Sequence, residues 1–396
     1  MRKGLIACAA LAGLLAAGAA ARADDVKVAL IYGRTGPLEA YAKQTEAGLK
    51  LGFEYATKGT NTVAGRKIVL IEKDDQGKPD LAKNALTEAY EDDGAEIAIG
   101  TTSSPAAIAM LPVAEEHKKI LIVEPAVADQ ITGEKWNRYI FRTSRNSSQD
   151  AISNAVAIGA PGVSIAVLGV DNAFGHDGVA AFKAALAKTG ATLVAEEYAP
   201  ATTTDFTAVG QRLFDALKDK QGKKLIWTVW AGATNPLDKL ADLDPGRYGI
   251  GFAAAGNILP ALAAYKRFPG LEGAAYYYYE IPKNPANDWL VAEHQKRFNA
   301  PPDFFTAGGF AAAEALVTAL TKTEGSTDSE KLISAMEGME FDSPKGKMIF
   351  RKEDHQALQA MYHFKIKVDP NVAWGIPVLV NEVKIEDMDV PIRNKR

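Results

Sequence analysis

Short apolar runs alternate along the chain with stretches whose apolar positions recur every three or four residues. The runs Val26–Ile31, Lys67–Ile71, Ile97–Ile99 and Ile120–Val123 predict strands. Between them, Tyr41–Thr57, Asp80–Asp92 and Pro105–Lys118 predict helices. In the first helix Ala42, Leu49, Phe53 and Ala56 fall near one face; in the second, Ala82, Leu86, Ala89 and Tyr90 do. This βαβαβ alternation predicts a parallel sheet covered on both faces. The rhythm restarts at Ser164–Leu168. It continues through a helix over Gly178–Lys188, a strand at Thr192–Ala195, a helix over Phe206–Lys218, a strand at Leu225–Trp230 and a helix through Leu240. Two such series predict an α/β protein with two lobes of similar architecture, though no repeat is visible residue by residue. In the last third, Gly273–Tyr279 predicts an aromatic strand on which Tyr277 and Tyr279 share one face and Tyr276 and Tyr278 the other. Helices over Asn287–Phe298, Thr306–Lys322 and Ser329–Met336 follow, then β segments at Met348–Phe350, Met361–Val368 and Val378–Val380. This tail is expected to cap the lobes and supply the connections between them.

The N-terminus changes the picture of what folds. Arg2 and Lys3 precede an apolar stretch from Leu5 to about Ala21, and Ala21-Arg-Ala23 places small residues where signal peptidase cuts. Residues 1–23 are therefore expected to be an export signal, cleaved near Ala23. The single cysteine, Cys8, goes with it, so the mature chain is expected to hold together through its core, without disulfides or thiolate chemistry. Loss of Arg2, Lys3 and Arg22 moves the formal net charge from -4 to -7. That acidity argues against a nucleic-acid partner, which needs a basic surface. No later segment reads as a membrane span, and a soluble mature protein is expected.

Catalytic motifs are missing. The five histidines are scattered, with no HExxH spacing, and neither a G-x-S-x-G elbow nor a phosphate-binding G-x-x-x-x-G-K-[ST] loop occurs. Gly246-Arg-Tyr-Gly-Ile-Gly251 does not fit the dinucleotide fingerprint. Catalytic residues, metal and cofactor are thus all expected to be none. Asp74-Asp75 reads as a solvated turn. The loops after the strands are more informative, because ligands of open α/β sheets sit outside the carboxyl ends of the strands. Gly100-Thr-Thr-Ser-Ser-Pro105 leads into a helix, so its hydroxyls and free N–H groups favour an anion or simply cap the helix. Glu124-Pro-Ala-Val-Ala-Asp129 forms a second loop of small residues on the same edge.

These features, in order, resemble the periplasmic leucine/isoleucine/valine-binding proteins of ATP-driven importers over nearly the whole mature chain. The resemblance is carried by Val26–Ile31 with Thr35-Gly-Pro37 and Tyr41, Asp74-Asp75 followed by Pro79, Ile99-Gly100 with Ser103-Ser104, and Glu124-Pro-Ala126. Phe141-Arg-Thr-Ser144 with Gln149, and Phe174-Gly175 with Gly178, complete it. It implies a type I binding-protein fold: two doubly wound parallel-sheet lobes joined by three crossovers. The N-terminal lobe would comprise 24–143 with 276–357, and the C-terminal lobe 144–275 with 358–396. It also implies a periplasmic monomer that closes on a small carboxylate ligand and docks on an ABC permease in the inner membrane. Ser103 and Ser104 are assigned to the ligand carboxylate, with Ala126 and Val127 beside them; Tyr41 and Phe174 are assigned to the cleft wall.

Two departures bear on the ligand. Family members that bind amino acids hold the α-ammonium with a threonine and an acidic residue; the corresponding positions here are Ala128 and Ala255. A buried ammonium without an acceptor costs several kcal/mol. Trp230 and Tyr277 instead offer ring surfaces, Arg145 a cation in the first crossover, His176 a group at the cleft mouth, and Asn257 a polar group in the loop that carries Ala255. The leading expectation is a carboxylated aromatic solute of the benzoate or phenylpropenoate type. A branched-chain amino acid or amide, or a sensing role at a receptor, remain the alternatives.

Overall fold

The structure is a computed structural model that describes residues 24–232 and 234–395. The expected export signal, with Cys8, lies outside the described residues. The first sheet takes shape from β1 (Val26–Tyr32), α1 (Glu39–Ala56), β2 (Thr62–Val63), β3 (Arg66–Asp74), α2 (Pro79–Glu91), β4 (Ile97–Gly100), α3 (Ser104–His117), β5 (Ile120–Val123) and β6 (Ile140–Arg142). Its order is β2-β3-β1-β4-β5-β6, parallel throughout except for the β2–β3 pair. The second sheet begins with α4 (Ser147–Ile158), β7 (Val163–Val170), α5 (Ala173–Leu186), β8 (Thr192–Ala199), α6 (Thr207–Leu217) and β9 (Lys223–Val229). It continues with α7 (Pro236–Ala241), β10 (Ile250–Ala254), α8 (Leu259–Tyr265) and β11 (Glu272–Ala275). All eight residues of β7 are buried, as expected for a strand covered on both faces by helices.

The chain then returns to the first sheet through α9 (Pro285–Phe298), α10 (Phe304–Lys322), α11 (Ser329–Met336), β12 (Glu340–Phe341), β13 (Met348–Phe350) and β14 (Ala357–Leu358). Leu316, Leu320, Met336 and Phe350 share one core with Val28, Ile99 and Phe141. A third passage delivers β15 (Met361–Lys367), which adds antiparallel to β11, and β16 (Ile376–Val383), which adds antiparallel to β15 and closes the order β16-β15-β11-β10-β9-β7-β8. The result is the two-lobed α/β arrangement of type I periplasmic binding proteins, with three crossovers.

The crossovers are tied to one another by polar side chains. Arg142, fully buried at the end of β6, donates to the Ala128 carbonyl at 2.6 Å and to Gln356 Oε1. Gln356, near the third passage, donates in turn to the Ser144 carbonyl at 2.7 Å. Burial pulls the Arg142 guanidinium down to about 10.

Three sequence expectations change. The strand predicted over Gly273–Tyr279 ends at Ala275, so the four tyrosines lie in the second crossover and do not alternate between sheet faces. Asp75 is fully buried rather than solvated: Thr101 Oγ1 donates to Oδ2 and the Gly77 amide to Oδ1 at 2.7 Å. Helix α10 is long and apolar enough to cross a membrane by length and composition, and 83% of its apolar window is buried inside the protein instead.

That burial depends on close helix packing. A Cβ on Gly48 of α1 would lie 1.9 Å from the Thr306 carbonyl oxygen, and one on Gly309 of α10 would lie 2.1 Å from that of Thr45. Backbone meets backbone here, so neither contact has a side chain that can yield. Gly→Ala inside an exposed helix normally stabilises by about 1 kcal/mol. At Gly309 overpacking reverses the sign: Gly309→Ala is expected to destabilise by roughly 1–3 kcal/mol, read as a lower urea midpoint at constant m-value.

Candidate functional site

The carboxyl ends of both sheets face one cleft, and the loops that leave β4, β5, β7, β9 and β10 meet there. Two adjoining cavities of about 70 and 80 Å³ lie within it. They share Tyr41, Arg145, Phe174, Ala231 and Phe305 as wall residues. A cavity of the order of 150 Å³ accommodates one benzene ring, so the pair offers space for a single-ring solute.

The 80 Å³ cavity is bounded by the start of α3. Ser103 is the N-cap, and its Oγ accepts from the Ala106 amide. Ser104 Oγ accepts from the Val127 and Ala128 amides at 3.3 and 3.2 Å. A hydroxyl has two acceptor positions and one proton. With both acceptor positions used, Ser104 can only donate to anything placed in the cavity. Thr102 Oγ1, on the same wall, is buried and has no partner within the protein. No carboxylate lines this cavity among the described residues.

Arg145 stands between the two cavities with 7% exposure. Its Nε donates to both oxygens of Asp150 at 3.2 and 3.1 Å, while Nη1 is buried and unpartnered. The guanidinium lies 4.9 Å from the Tyr276 ring centre, 5.4 Å from that of Phe304 and 5.8 Å from that of Phe305. Burial works against the charge, but Asp150, Tyr276 and Glu124 together outweigh it and hold Arg145 above the usual arginine value. The sequence places Asp150 on the first turn of α4, five residues beyond Arg145, where it fixes the fork locally.

The 70 Å³ cavity is aromatic. Trp227, Trp230, Tyr265 and Phe304 line it, with Thr228, Ala255, Gly256 and Asn257. Tyr41 meets Phe305 edge-on at 5.3 Å, and Phe206 supports Trp230 in the same manner at 5.4 Å. Hydrogen bonds close the cleft around these walls. The Leu259 amide at the start of α8 donates to Asp303 at 3.0 Å, and the Gln130 amide donates to Asp177 at 3.0 Å. Burial pushes the Asp303 carboxyl up to about 6.

Eight candidate residues named from sequence thus line the cavities: Tyr41, Ser103, Ser104, Val127, Arg145, Phe174, Trp230 and Asn257. Three stand elsewhere. Ala126 is buried behind the wall, its carbonyl taken by Ser144 Oγ at 2.8 Å. His176 lies outside the cavities, stacked on Tyr198 at 4.2 Å and paired with Asp171 at 2.8 Å, because the first turn of α5 carries it outward. Tyr277 points into the core, where its hydroxyl donates to Asn287 Oδ1 at 2.8 Å. Of the four tyrosines, Tyr276 comes nearest the site, as the ring under Arg145. Phe304 and Phe305 were not singled out from sequence. Their signal is a pair of large aromatics directly after Asp303, the N-cap of α10. Among the described residues no cluster of His, Cys, Asp and Glu suits a metal ion.

Comparisons with known proteins agree with this architecture. Residues 25–371 match the periplasmic binding protein family. A Leu/Ile/Val-binding protein homolog of Brucella melitensis is 27% identical over 369 residues, covering 90% of this chain and 91% of that protein. An ABC-type branched-chain amino acid transporter protein of Rhodopseudomonas palustris, solved by crystallography, is 77% identical with a TM-score of 0.85, covering 94% of this chain and 100% of that one. Another solute-binding protein from Rhodopseudomonas palustris, solved with 3,4-dihydroxybenzoic acid, is 29% identical with a TM-score of 0.80, covering 93% and 99%. A third from that organism, solved with 4-hydroxybenzoate, is 25% identical with a TM-score of 0.80, covering 93% and 98%. The chain therefore belongs to the periplasmic binding protein family: it is a solute-binding protein of an ABC importer, which captures a small molecule in the periplasm for an inner-membrane permease, and not an enzyme.

Proposed function

We propose that the cargo is a small carboxylated aromatic compound of the benzoate class. The observation that carries this reading is the buried, unpartnered Nη1 of Arg145, a residue on the wall of a cavity whose other polar side chains are the hydroxyls of Tyr41, Thr102, Ser103 and Ser104 and the Asn172 amide, with no carboxylate among them. Thr102, Ser103 and Ser104 at the α3 N-terminus add donors where the helix dipole favours negative charge. A carboxylate bridging Arg145 and these hydroxyls meets every unsatisfied donor there, and the ring lies against Tyr41, Phe174 and Phe305. The cavity volumes favour one ring over a longer phenylpropenoate. Relatives solved with hydroxylated benzoates support the same class.

A branched-chain amino acid fits less well. Its ammonium needs an acceptor, and Asp150 is the one carboxylate on the walls among the described residues. Both Asp150 oxygens already serve Arg145. Ala255 brings only a methyl group to the wall, and Ala128 is buried in the core. In this reading residues 24–143 with 276–357 and residues 144–275 with 358–396 close as two bodies of a monomer. The open–closed equilibrium shifts because the ligand touches both.

Two outcomes are expected. In calorimetry and thermal unfolding, benzoate binds and raises Tm while leucine and valine do not; stabilisation by leucine alone would sink the proposal. Arg145→Gln is expected to weaken benzoate about 10–100-fold, the loss of one charged hydrogen bond. That substitution strands Asp150 as a buried charge. The Arg145→Gln/Asp150→Asn pair should therefore recover stability in urea without recovering affinity.

A further inference from the structure

Two residues that line the 70 Å³ cavity carry hydrogen-bond donors that the carboxylate does not use. Trp227 Nε1 and Trp230 Nε1 are both buried and both lack an acceptor in the protein. A buried N–H without a partner is unfavourable, and two such groups on residues that line one cavity point to a ligand atom that serves them. The rings are held by the core and not by their nitrogens. Trp227 stacks on Phe182 at 3.9 Å and Trp230 meets Phe206 edge-on. Neither ring can turn to bring its N–H to water, and both residues line the cavity. Both indoles come from the end of β9 or directly after it, in the second lobe, whereas Thr102, Ser103 and Ser104 belong to the first. Arg145 lines both cavities between them.

We infer that the cargo carries a second acceptor, an oxygen on the ring away from the carboxylate, and that Trp227 and Trp230 select for it. This rests on the aromatic-acid reading and extends it from a ring acid to an oxygen-substituted ring acid. The chemistry discriminates by sign as well as by strength. An indole nitrogen donates and never accepts. It rewards a hydroxyl or ether oxygen and gives nothing to an amino group, whose N–H protons would face the indole protons. The selection also requires contact across the cleft. The carboxylate engages the first lobe and the crossover, and the ring oxygen engages the second lobe. A solute with both groups gains from closure more than one with the carboxylate alone.

The test is calorimetry on the intact mature protein with benzoate, the 3- and 4-hydroxybenzoates, and the 3- and 4-aminobenzoates. At least one hydroxybenzoate is expected to bind about 3–10-fold tighter than benzoate, the size of one or two neutral hydrogen bonds. Neither aminobenzoate should exceed benzoate. In Trp230→Phe and Trp227→Phe the ratio of hydroxybenzoate to benzoate affinity should fall towards one, whatever happens to either affinity alone. If the Trp227 variant loses its fold with the Phe182 stack, the Trp230 variant decides. Hydroxybenzoates no tighter than benzoate, or a ratio that survives both substitutions, would overturn the inference while leaving the aromatic-acid reading intact. Failure of every ring acid to bind would remove both.

Discussion

A guanidinium buried between two lobes must be kept charged and kept still, and much of the cleft follows from that requirement. Arg145 meets it with Asp150 on one side and a cradle of Tyr276, Phe304 and Phe305 on the other. The carboxylate fixes the fork through Nε and leaves Nη1 free. The rings exclude water from the remaining faces and raise the value of any charge placed opposite. The rings in turn depend on helix α10 starting where it does. That start depends on the close crossing of α10 with α1, which brings Tyr41 to the same wall. Glycines at 48 and 309 are thus two steps removed from the ligand, yet they set where the aromatic wall stands.

Arg145 is one member of a larger set of buried charges at the crossovers. Lys345 lies 4.7 Å from the centre of the same Tyr276 ring. Burial pushes Lys345 down to about 8, against the pull of Glu124. Glu124 accepts from Thr143 Oγ1 at 2.9 Å, in the first crossover. Tyr276 belongs to the second crossover, and the Lys345 carbonyl accepts from the Tyr362 hydroxyl on β15, just past the third. Charge and hydrogen bonding together therefore join all three connections. In the proposed reading, a carboxylate at Arg145 would add a negative charge to this set, so binding would be felt at the segments that join the lobes. Breaking one member of such a set costs more than its own contact, because a partner is left charged in a dry place.

Much of the architecture was legible from pattern alone, and the reasons are physical. Strands such as β1 and β7 are continuous apolar runs because both of their faces are covered. The hydroxyl loop after β4 was legible because its residue types suit a helix N-terminus and little else. Strand β10 was not. Ile250-Gly-Phe-Ala-Ala254 carries a glycine and two alanines, too little apolar side chain to signal a strand, and it is held by its neighbours β9 and β11. The tyrosine run misled for the complementary reason. Four consecutive aromatics have high β propensity, but their burial comes from packing between lobes, and each of Tyr276, Tyr277 and Tyr278 finds a separate hydroxyl partner there. Asp75 looked solvated because nothing local announces that Thr101, from the next strand end, covers it.

The sequence by itself determined the fold class, the family, the loop that supplies hydroxyl donors and the lack of acceptors at positions 128 and 255. All of these are written in local residue type and spacing. Which donors remain unsatisfied was decided only by the tertiary structure. Arg145 Nη1, Thr102 Oγ1 and the two indole nitrogens are ordinary groups on the page of the sequence. They become a specification for a ligand only once Asp150, Phe182, Phe206 and the closing lobes have removed every other partner they might have taken. Satisfaction of a polar group depends on what lies within 3 Å of it, and those neighbours come from segments far apart in the chain.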